Sequence, residues 1–93
     1  MLNFEWNSKK AALNLRKHGV SFEEASTVFG DPFSSTISDP LHSDQENRFI
    51  TVGRSHANRI FIVVHVDRGD NIRIISARRA SAREKRKYAE NKS

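Results

Sequence analysis

The start of the chain shows a short alternating pattern followed by a helical one. Residues 2–6 alternate apolar and polar side chains, which predicts a first strand. Ser8 can cap a helix that runs from about Lys9 to His18. Within it, Ala12 and Leu15 are expected to form the apolar face, and the glycine that follows favours a helix end.

The stretch SFEEASTVFGD, residues 21–31, repeats this pattern and predicts a second helix. Ser21 and Glu24 have the spacing of a capping box, in which the side chain of each residue bonds the other's backbone N–H. A glycine, an aspartate and a proline end the segment. The side chains expected to be buried are Phe22, Ala25, Val28 and Phe29.

The second half of the chain has the pattern of strands, and a helix closes it. The turn-forming stretches SHAN and RGD separate the last three strands and predict an antiparallel meander. The segment RIFIVVHV is apolar on both faces, which is typical of the centre of a sheet. Ser81 and Glu84 form a second capping box and begin a helix that runs toward Glu90. The predicted strands cover residues 34–38, 48–54, 59–67 and 71–77.

This order of elements, β, α, α, β, β, β, β, α, predicts an α+β fold. Two N-terminal helices would pack on one face of a mostly antiparallel sheet, and the other face would be available for function. At 93 residues, the chain is expected to form a single domain over residues 1–93. The residues expected in the core are Phe22, Val28, Phe29, Phe49, Phe61, Ile62 and Val64.

Charge divides the chain into two unequal parts. Residues 71–93 hold eight Lys or Arg and two Glu, a net charge of +6, whereas the first 70 residues have a net charge of −1. The closing helix is therefore basic and poor in apolar residues, so burial alone is not expected to hold it. A polyanion such as RNA or DNA is the natural partner of this end. An acidic protein, or solvent alone, would also satisfy the pattern.

The candidate chemistry lies in DPLHSDQENR, residues 39–48, at the entrance to a strand. The imidazole of His42 can exchange a proton, Glu46 can orient it or act as a base, and Arg48 can stabilise charge on a phosphoryl group. Together they suffice for metal-free RNA cleavage, with the 2′-hydroxyl as nucleophile. The alternative is a polar loop in which Asp39 and Ser43 form turns.

Two arginines follow the last strand. Alternation places Arg78 on one face with Ile72, Ile74 and Ser76. It places Arg79 on the opposite face with Arg73, Ile75 and Ala77. Either guanidinium could bind a phosphate through two hydrogen bonds, and the alternative is an ion pair with Glu46, Asp31 or Glu84.

Other classes of chemistry have no signal in the sequence. The four histidines lack the spacing of a helical zinc motif, there is no glycine-rich phosphate loop, and we expect neither a metal nor a cofactor. His65, between apolar neighbours, is expected to be a hydrogen-bonded sheet residue. There is no cysteine, no apolar run long enough for a membrane span and no signal-peptide pattern. These features allow a cytoplasmic location.

Several segments in register resemble the BrnT family of bacterial type II toxin–antitoxin toxins. They are FEWN, KHGVSFEEASTVFGDP, DPLHSDQENRFITVGRS and IRIISARRASAREKRKY, and they span nearly the whole chain. Asn7 departs from the aspartate usual in the family, and Asn58 stands where glycine is frequent.

The resemblance implies a RelE-like ribonuclease fold and a cytoplasmic toxin that cleaves RNA and slows translation. It also implies a BrnA-like antitoxin with a ribbon-helix-helix end, through which the complex would bind promoter DNA. The family's motif positions fall on His42, Glu46, Arg48, Arg78 and Tyr88. From chemistry, we expect His42, Glu46, Arg48 and Arg78 to be catalytic; the residues expected to bind or guide the substrate are Lys9, Lys10, Arg83, Lys87 and Tyr88.

Two other classes of function remain open from the sequence. One is a non-catalytic module that binds nucleic acid or an acidic protein through its basic C-terminal helix. The other is a structural subunit of a DNA-binding complex. The first predicts that charge reversal on that helix, and not loss of His42 or Arg78, removes the effect of the protein on cells.

Overall fold

A computed structural model describes residues 2–41 and 47–92, and its elements follow the predicted order. A 3-10 turn over Thr27–Gly30 extends the second helix. The elements are β1 (Asn3–Glu5), α1 (Ser8–His18), α2 (Phe22–Ser26), β2 (Ser35–Ser38), β3 (Arg48–Arg54), β4 (Ile60–Arg68), β5 (Asn71–Arg79) and α3 (Ala82–Lys92).

The strands form one five-stranded sheet in the order β1-β5-β4-β3-β2. Strands β3 to β5 form the predicted antiparallel meander, and β2 adds to β3, also antiparallel. Strand β1 adds to β5 in parallel, with Asn3 opposite Asn71. Strand β4 lies in the middle, as its two apolar faces indicated.

The main core lies between the sheet and the two N-terminal helices. Ile62 and Val64, which were expected in this core, lie on the opposite face of the sheet, because they alternate with Phe61 and Val63 along β4. Phe49 is half-buried on the helix side and stacks on His65. The buried residues of the cluster are Val20, Phe22, Ala25, Val28, Phe61, Val63, Ile74 and Ala77.

The apolar face predicted for α1 is wrong. Ala12 is exposed and Leu15 is 52% exposed, whereas Asn14 is only 7% exposed. The Asn14 side chain pairs with the free edge of β5: Nδ2 donates to the Ala77 carbonyl at 2.8 Å, and Oδ1 accepts from the Ala77 N–H at 3.1 Å. Nδ2 also donates to the Val20 carbonyl at 3.0 Å. Asn14 therefore supplies to β5 the backbone partners that a neighbouring strand would supply.

The helix starts differ in how they are capped. Asn7, and not Ser8, caps α1, because its side chain accepts from the Lys10 N–H at 3.0 Å. Ser21 accepts from the Glu24 N–H at 3.0 Å, which is one of the two bonds predicted for α2, whereas the Glu24 carboxylate accepts from Ser55 and Arg59. At α3 both bonds of the predicted capping box form, one from the Ser81 N–H to Glu84 at 2.8 Å and one from the Glu84 N–H to Ser81 at 3.2 Å.

A row of polar side chains crosses β2, β3 and β4 on the helix side of the sheet. The Thr36 and Thr51 hydroxyls are 2.7 Å apart, Thr51 is 2.7 Å from His65 Nε2, and His65 Nδ1 is 2.6 Å from Asp67. Both His65 nitrogens are therefore engaged, which confirms the prediction that His65 is a hydrogen-bonded sheet residue. Since Thr51 and His65 are fully buried, the row satisfies polar groups inside the core.

Candidate active site

The face of the sheet opposite α1 and α2 carries an apolar strip only partly covered by α3. Alternation and register place Ile50, Val52, Ile62 and Val64 on this open face, with Ile37 of β2 beside them at 60% exposure. Between α3 and the strip lies a groove of about 360 Å³. Its lining comprises Ser35, Ile37, Ile50, Val52, Ile62, Arg78, Glu84, Lys87, Tyr88 and Asn91.

Arg48 begins β3 at one end of this open face. It lies opposite Val66 of β4, and its side chain is half-buried. Of the four residues predicted to be catalytic, Arg48 and Arg78 are described and lie on the same face of the sheet. His42 and Glu46 lie outside the described residues.

A β-bulge in β5 brings a third arginine to this face. The register between β4 and β5 shifts at Val64 and His65: Val64 lies opposite Ser76, but His65 lies opposite Ile74. Ile75 is thus an extra residue, and alternation reverses across it. Arg73, which simple alternation placed with Arg79, lies opposite Val66 and on the same face as Arg78.

Because of this bulge, the prediction that Arg78 shares its face with Ile72, Ile74 and Ser76 is partly wrong. Ile72 and Ile74 face the core and are buried, so of the predicted set only Ser76 shares the face of Arg78. Arg79 does lie on the opposite face, as predicted, since it is opposite Phe61. The sequence contains no glycine near the bulge that could have signalled it.

Arg78 is held in place by Glu84 of α3. Its Nη1 and Nη2 donate to the two carboxylate oxygens at 2.8 and 2.9 Å, and Nη1 also reaches the Arg79 carbonyl at 3.3 Å. The hydrogen bond from Arg78 is the largest cause of the lowered pKa of Glu84, which is about 2. The side chain of Arg78 remains 46% exposed, and its Nε–H and one Nη2–H are not used in these bonds. A bidentate pair therefore orients a guanidinium that can still bind an anion.

Tyr88 fixes the helix that forms the wall of the groove. Its hydroxyl donates to Asp31, which also accepts from the backbone N–H groups of Arg54 and Phe33 at 2.8 and 2.9 Å. Burial opposes ionisation of Asp31, but these hydrogen bonds outweigh it and lower its pKa. Burial is the largest cause of the raised pKa of Tyr88, and the hydrogen bond to Asp31 raises it further. Lys92 packs over the rings of Phe33 and Tyr88, so cation–π contacts add to the burial and the hydrogen bond of Tyr88 in attaching α3.

The remaining residues predicted to bind the substrate are spread over two elements. Lys87 lines the groove, and Arg83 is exposed on α3. Lys9 and Lys10 lie in the first turn of α1, where Lys10 lines a different cleft. Among residues 2–41 and 47–92, no group of three His, Cys, Asp or Glu side chains could hold a metal ion. No helix within those residues is long and apolar enough to cross a membrane.

This architecture is that of a known ribonuclease toxin. The chain matches the structure described as "1.1 Angstrom-resolution crystal structure of the Brucella abortus ribonuclease toxin, BrnT" with a TM-score of 0.68. The match has 20% sequence identity and covers 87% of this chain and 99% of the Brucella chain. It shows that the two proteins share a fold.

The family follows from the sequence match. Residues 6–84 match the family described as "Ribonuclease toxin, BrnT, of type II toxin-antitoxin system". The chain therefore belongs to the BrnT family of toxins, and a type II system implies an antitoxin as partner. No curated protein matches this chain.

Proposed function

We propose that this protein is a metal-independent endoribonuclease whose substrate lies on the open face of the sheet and in the groove beside α3. The observation that carries the proposal is that Arg48, Arg73 and Arg78 share this face beside an apolar strip. Guanidinium groups match phosphate geometry, and apolar side chains can contact bases and riboses.

The chemistry would be an in-line attack of the RNA 2′-oxygen on the adjacent phosphorus. The bond from phosphorus to the 5′-oxygen breaks, so the products are a 2′,3′-cyclic phosphate and a 5′-hydroxyl. His42 or Glu46 would take the proton of the 2′-hydroxyl, and the leaving 5′-oxygen would receive a proton from the acid form of a neighbouring group. Arg48 and Arg78 would stabilise the charge that grows on the phosphoryl oxygens.

The other candidates have supporting roles. Lys87 lies in the groove and can contact a phosphate, and Arg83, Lys9 and Lys10 add positive charge that attracts RNA. Tyr88 is 2% exposed and its hydroxyl is bound to Asp31, so its role is to position α3 at the substrate. In cells, such cleavage would slow translation until a BrnA-like ribbon-helix-helix antitoxin neutralised the toxin, and promoter DNA would be bound through that antitoxin.

Cleavage in the presence of EDTA tests the proposal. The purified protein should cleave RNA with excess chelator, and the products should carry 2′,3′-cyclic phosphate ends. Intact RNA, together with normal growth when the protein is induced in cells, would contradict it.

Arg78→Lys tests the placement of the site. It keeps the charge beside Glu84 but loses the bidentate geometry, so we expect kcat to fall by about tenfold or more. The matched control is Arg68→Lys, because Arg68 is exposed at the end of β4 and does not line the groove. If both variants cleave like the native protein, the groove is not the active site. Loss of growth inhibition only after charge reversal on α3 would favour a binding module.

A further inference from the structure

A second cationic cleft lies between α1 and the edge of β5. It has a volume of about 610 Å³ and is distinct in its lining from the groove beside α3. Helix α1 has four Lys or Arg and no Asp or Glu. The lining residues are Lys10, Leu13, Asn14, Arg16, Lys17, His18, Ile75 and Ser76.

Helix stability does not explain all of this charge. Arg16, Lys17 and His18 lie in the last turn of α1, where cations are favoured by the helix dipole. Lys9 and Lys10 lie in the first turn, where the dipole disfavours them and where no acidic residue compensates. These lysines lower the stability of the helix, and residues that lower stability beside a cleft point to a ligand.

The cleft adjoins the proposed substrate face. Ser76 lines the cleft and Arg78 lines the groove, and the two are alternate residues on the same face of β5. An extended anionic chain that leaves the groove along β5 would therefore meet the lysines of α1.

We propose that this α1–β5 cleft binds the single-stranded RNA that continues beyond the cleaved bond. Lys10, Arg16 and Lys17 would contact its phosphates, and Leu13, which is 58% exposed, would contact its riboses. The described residues that line the cleft include no Phe, Tyr or Trp and four basic or imidazole side chains, so binding there rests mainly on phosphate contacts and is independent of sequence. This inference rests on the proposed RNA substrate.

The test compares RNA lengths in the variant Arg16→Gln/Lys17→Gln. The probes are a fluorescent 12-nucleotide oligouridine that is 2′-O-methylated to prevent cleavage and a 3-nucleotide version that fits the groove alone. For the longer probe we expect about tenfold weaker binding and a salt slope lower by about 1.4, which is two phosphate contacts on a single strand. Binding of the shorter probe should not change, and KM for a long cleavable RNA should rise while kcat stays constant.

Controls separate this proposal from the proposed function. Arg68→Gln removes one exposed cation outside the cleft, so the single variant Lys17→Gln should weaken binding of the 12-nucleotide probe more than Arg68→Gln does. If Arg16→Gln/Lys17→Gln binds each probe as tightly as the native protein does, and the native protein cleaves RNA, the proposed role of the cleft is wrong and the ribonuclease proposal stands. The same is true if the variant loses only neutralisation by the antitoxin, because the cleft then serves a protein. Length-dependent loss of binding without any cleavage supports the cleft and rejects the ribonuclease.

Discussion

Replacement of Asn14 by alanine should destabilise the protein more than its place in a polar, exposed helix suggests. The variant Asn14→Ala removes three hydrogen bonds, of which two go to the backbone of Ala77 and one to the carbonyl of Val20. Asn14 is 7% exposed and Ala77 is 1% exposed, so water does not readily replace the lost partners. A buried donor left without a partner costs about 1–3 kcal/mol, and two carbonyls lose a bond as well. We expect a loss of about 3–5 kcal/mol in the free energy of unfolding.

Urea denaturation, monitored by circular dichroism, measures this loss of stability. The control is Leu13→Ala on the same helix, which removes a 58% exposed side chain and should change stability by less than about 1 kcal/mol. Asn14→Leu should not restore stability, because an apolar side chain of similar size leaves the edge of β5 unpaired. If Asn14→Ala loses less than about 1 kcal/mol, the proposed role of Asn14 at this edge is refuted.

Three further changes test other contacts. Glu24 accepts two bonds from Arg59, and this pairing is the largest cause of its lowered pKa of about 2. The ionised Glu24 therefore contributes about 3 kcal/mol to the free energy of unfolding; this contribution is complete above the ordinary pKa of 4.5 and is lost as the pH falls toward 2. Urea titrations at several pH values should show that Glu24→Gln flattens this pH dependence. An unchanged profile would contradict the assignment. Tyr88→Phe should cost about 1 kcal/mol by losing the bond to Asp31 and should speed amide hydrogen exchange in α3, whereas native exchange rates would mean that other contacts hold the helix. Asn58 has a φ of 68°, so thermal unfolding should show Asn58→Ala less stable by about 1 kcal/mol and Asn58→Gly nearly native, and equal melting of the two would argue against strain.

The elements of the fold could be predicted because each has a local signal. Capping residues marked the starts of α2 and α3, turn residues separated the strands, and the predicted strand over residues 48–54 is the observed β3. The family resemblance, carried by several segments in register, is confirmed by the match over residues 6–84.

Apart from the cap of α1, which is Asn7 and not Ser8, the errors arose where a contact distant in sequence decides the local arrangement. Asn14 is buried because β5, 63 residues later, needs a partner at its edge, and nothing near Asn14 signals this. Ile62 was assigned to the main core because both faces of β4 are apolar, and such a strand does not show which face meets the helices. The bulge at Ile75 moved Arg73 to the candidate active site without any local signal.

The candidate site could be predicted only in part. The sequence left two alternatives for Arg78, an ion pair or a phosphate-binding guanidinium. In the structure Arg78 pairs with Glu84, and its guanidinium is still exposed. Side-chain chemistry suggested which residue types could act on a phosphate, but their assembly on one face depends on strand register.

The two contacts on the β5 side of the sheet join distant parts of the chain and affect when the chain can fold during its synthesis. Strand β1 pairs with residues 71–73, and Asn14 pairs with Ala77. A ribosome that has released only the first two thirds of the chain therefore displays α1 and β1 without the strand against which they pack. Folding of the N-terminal elements must wait for β5, as is typical of folds with many non-local contacts. The N-terminal elements of the toxin consequently lack the strand against which they pack until residues 71–79 have left the ribosome.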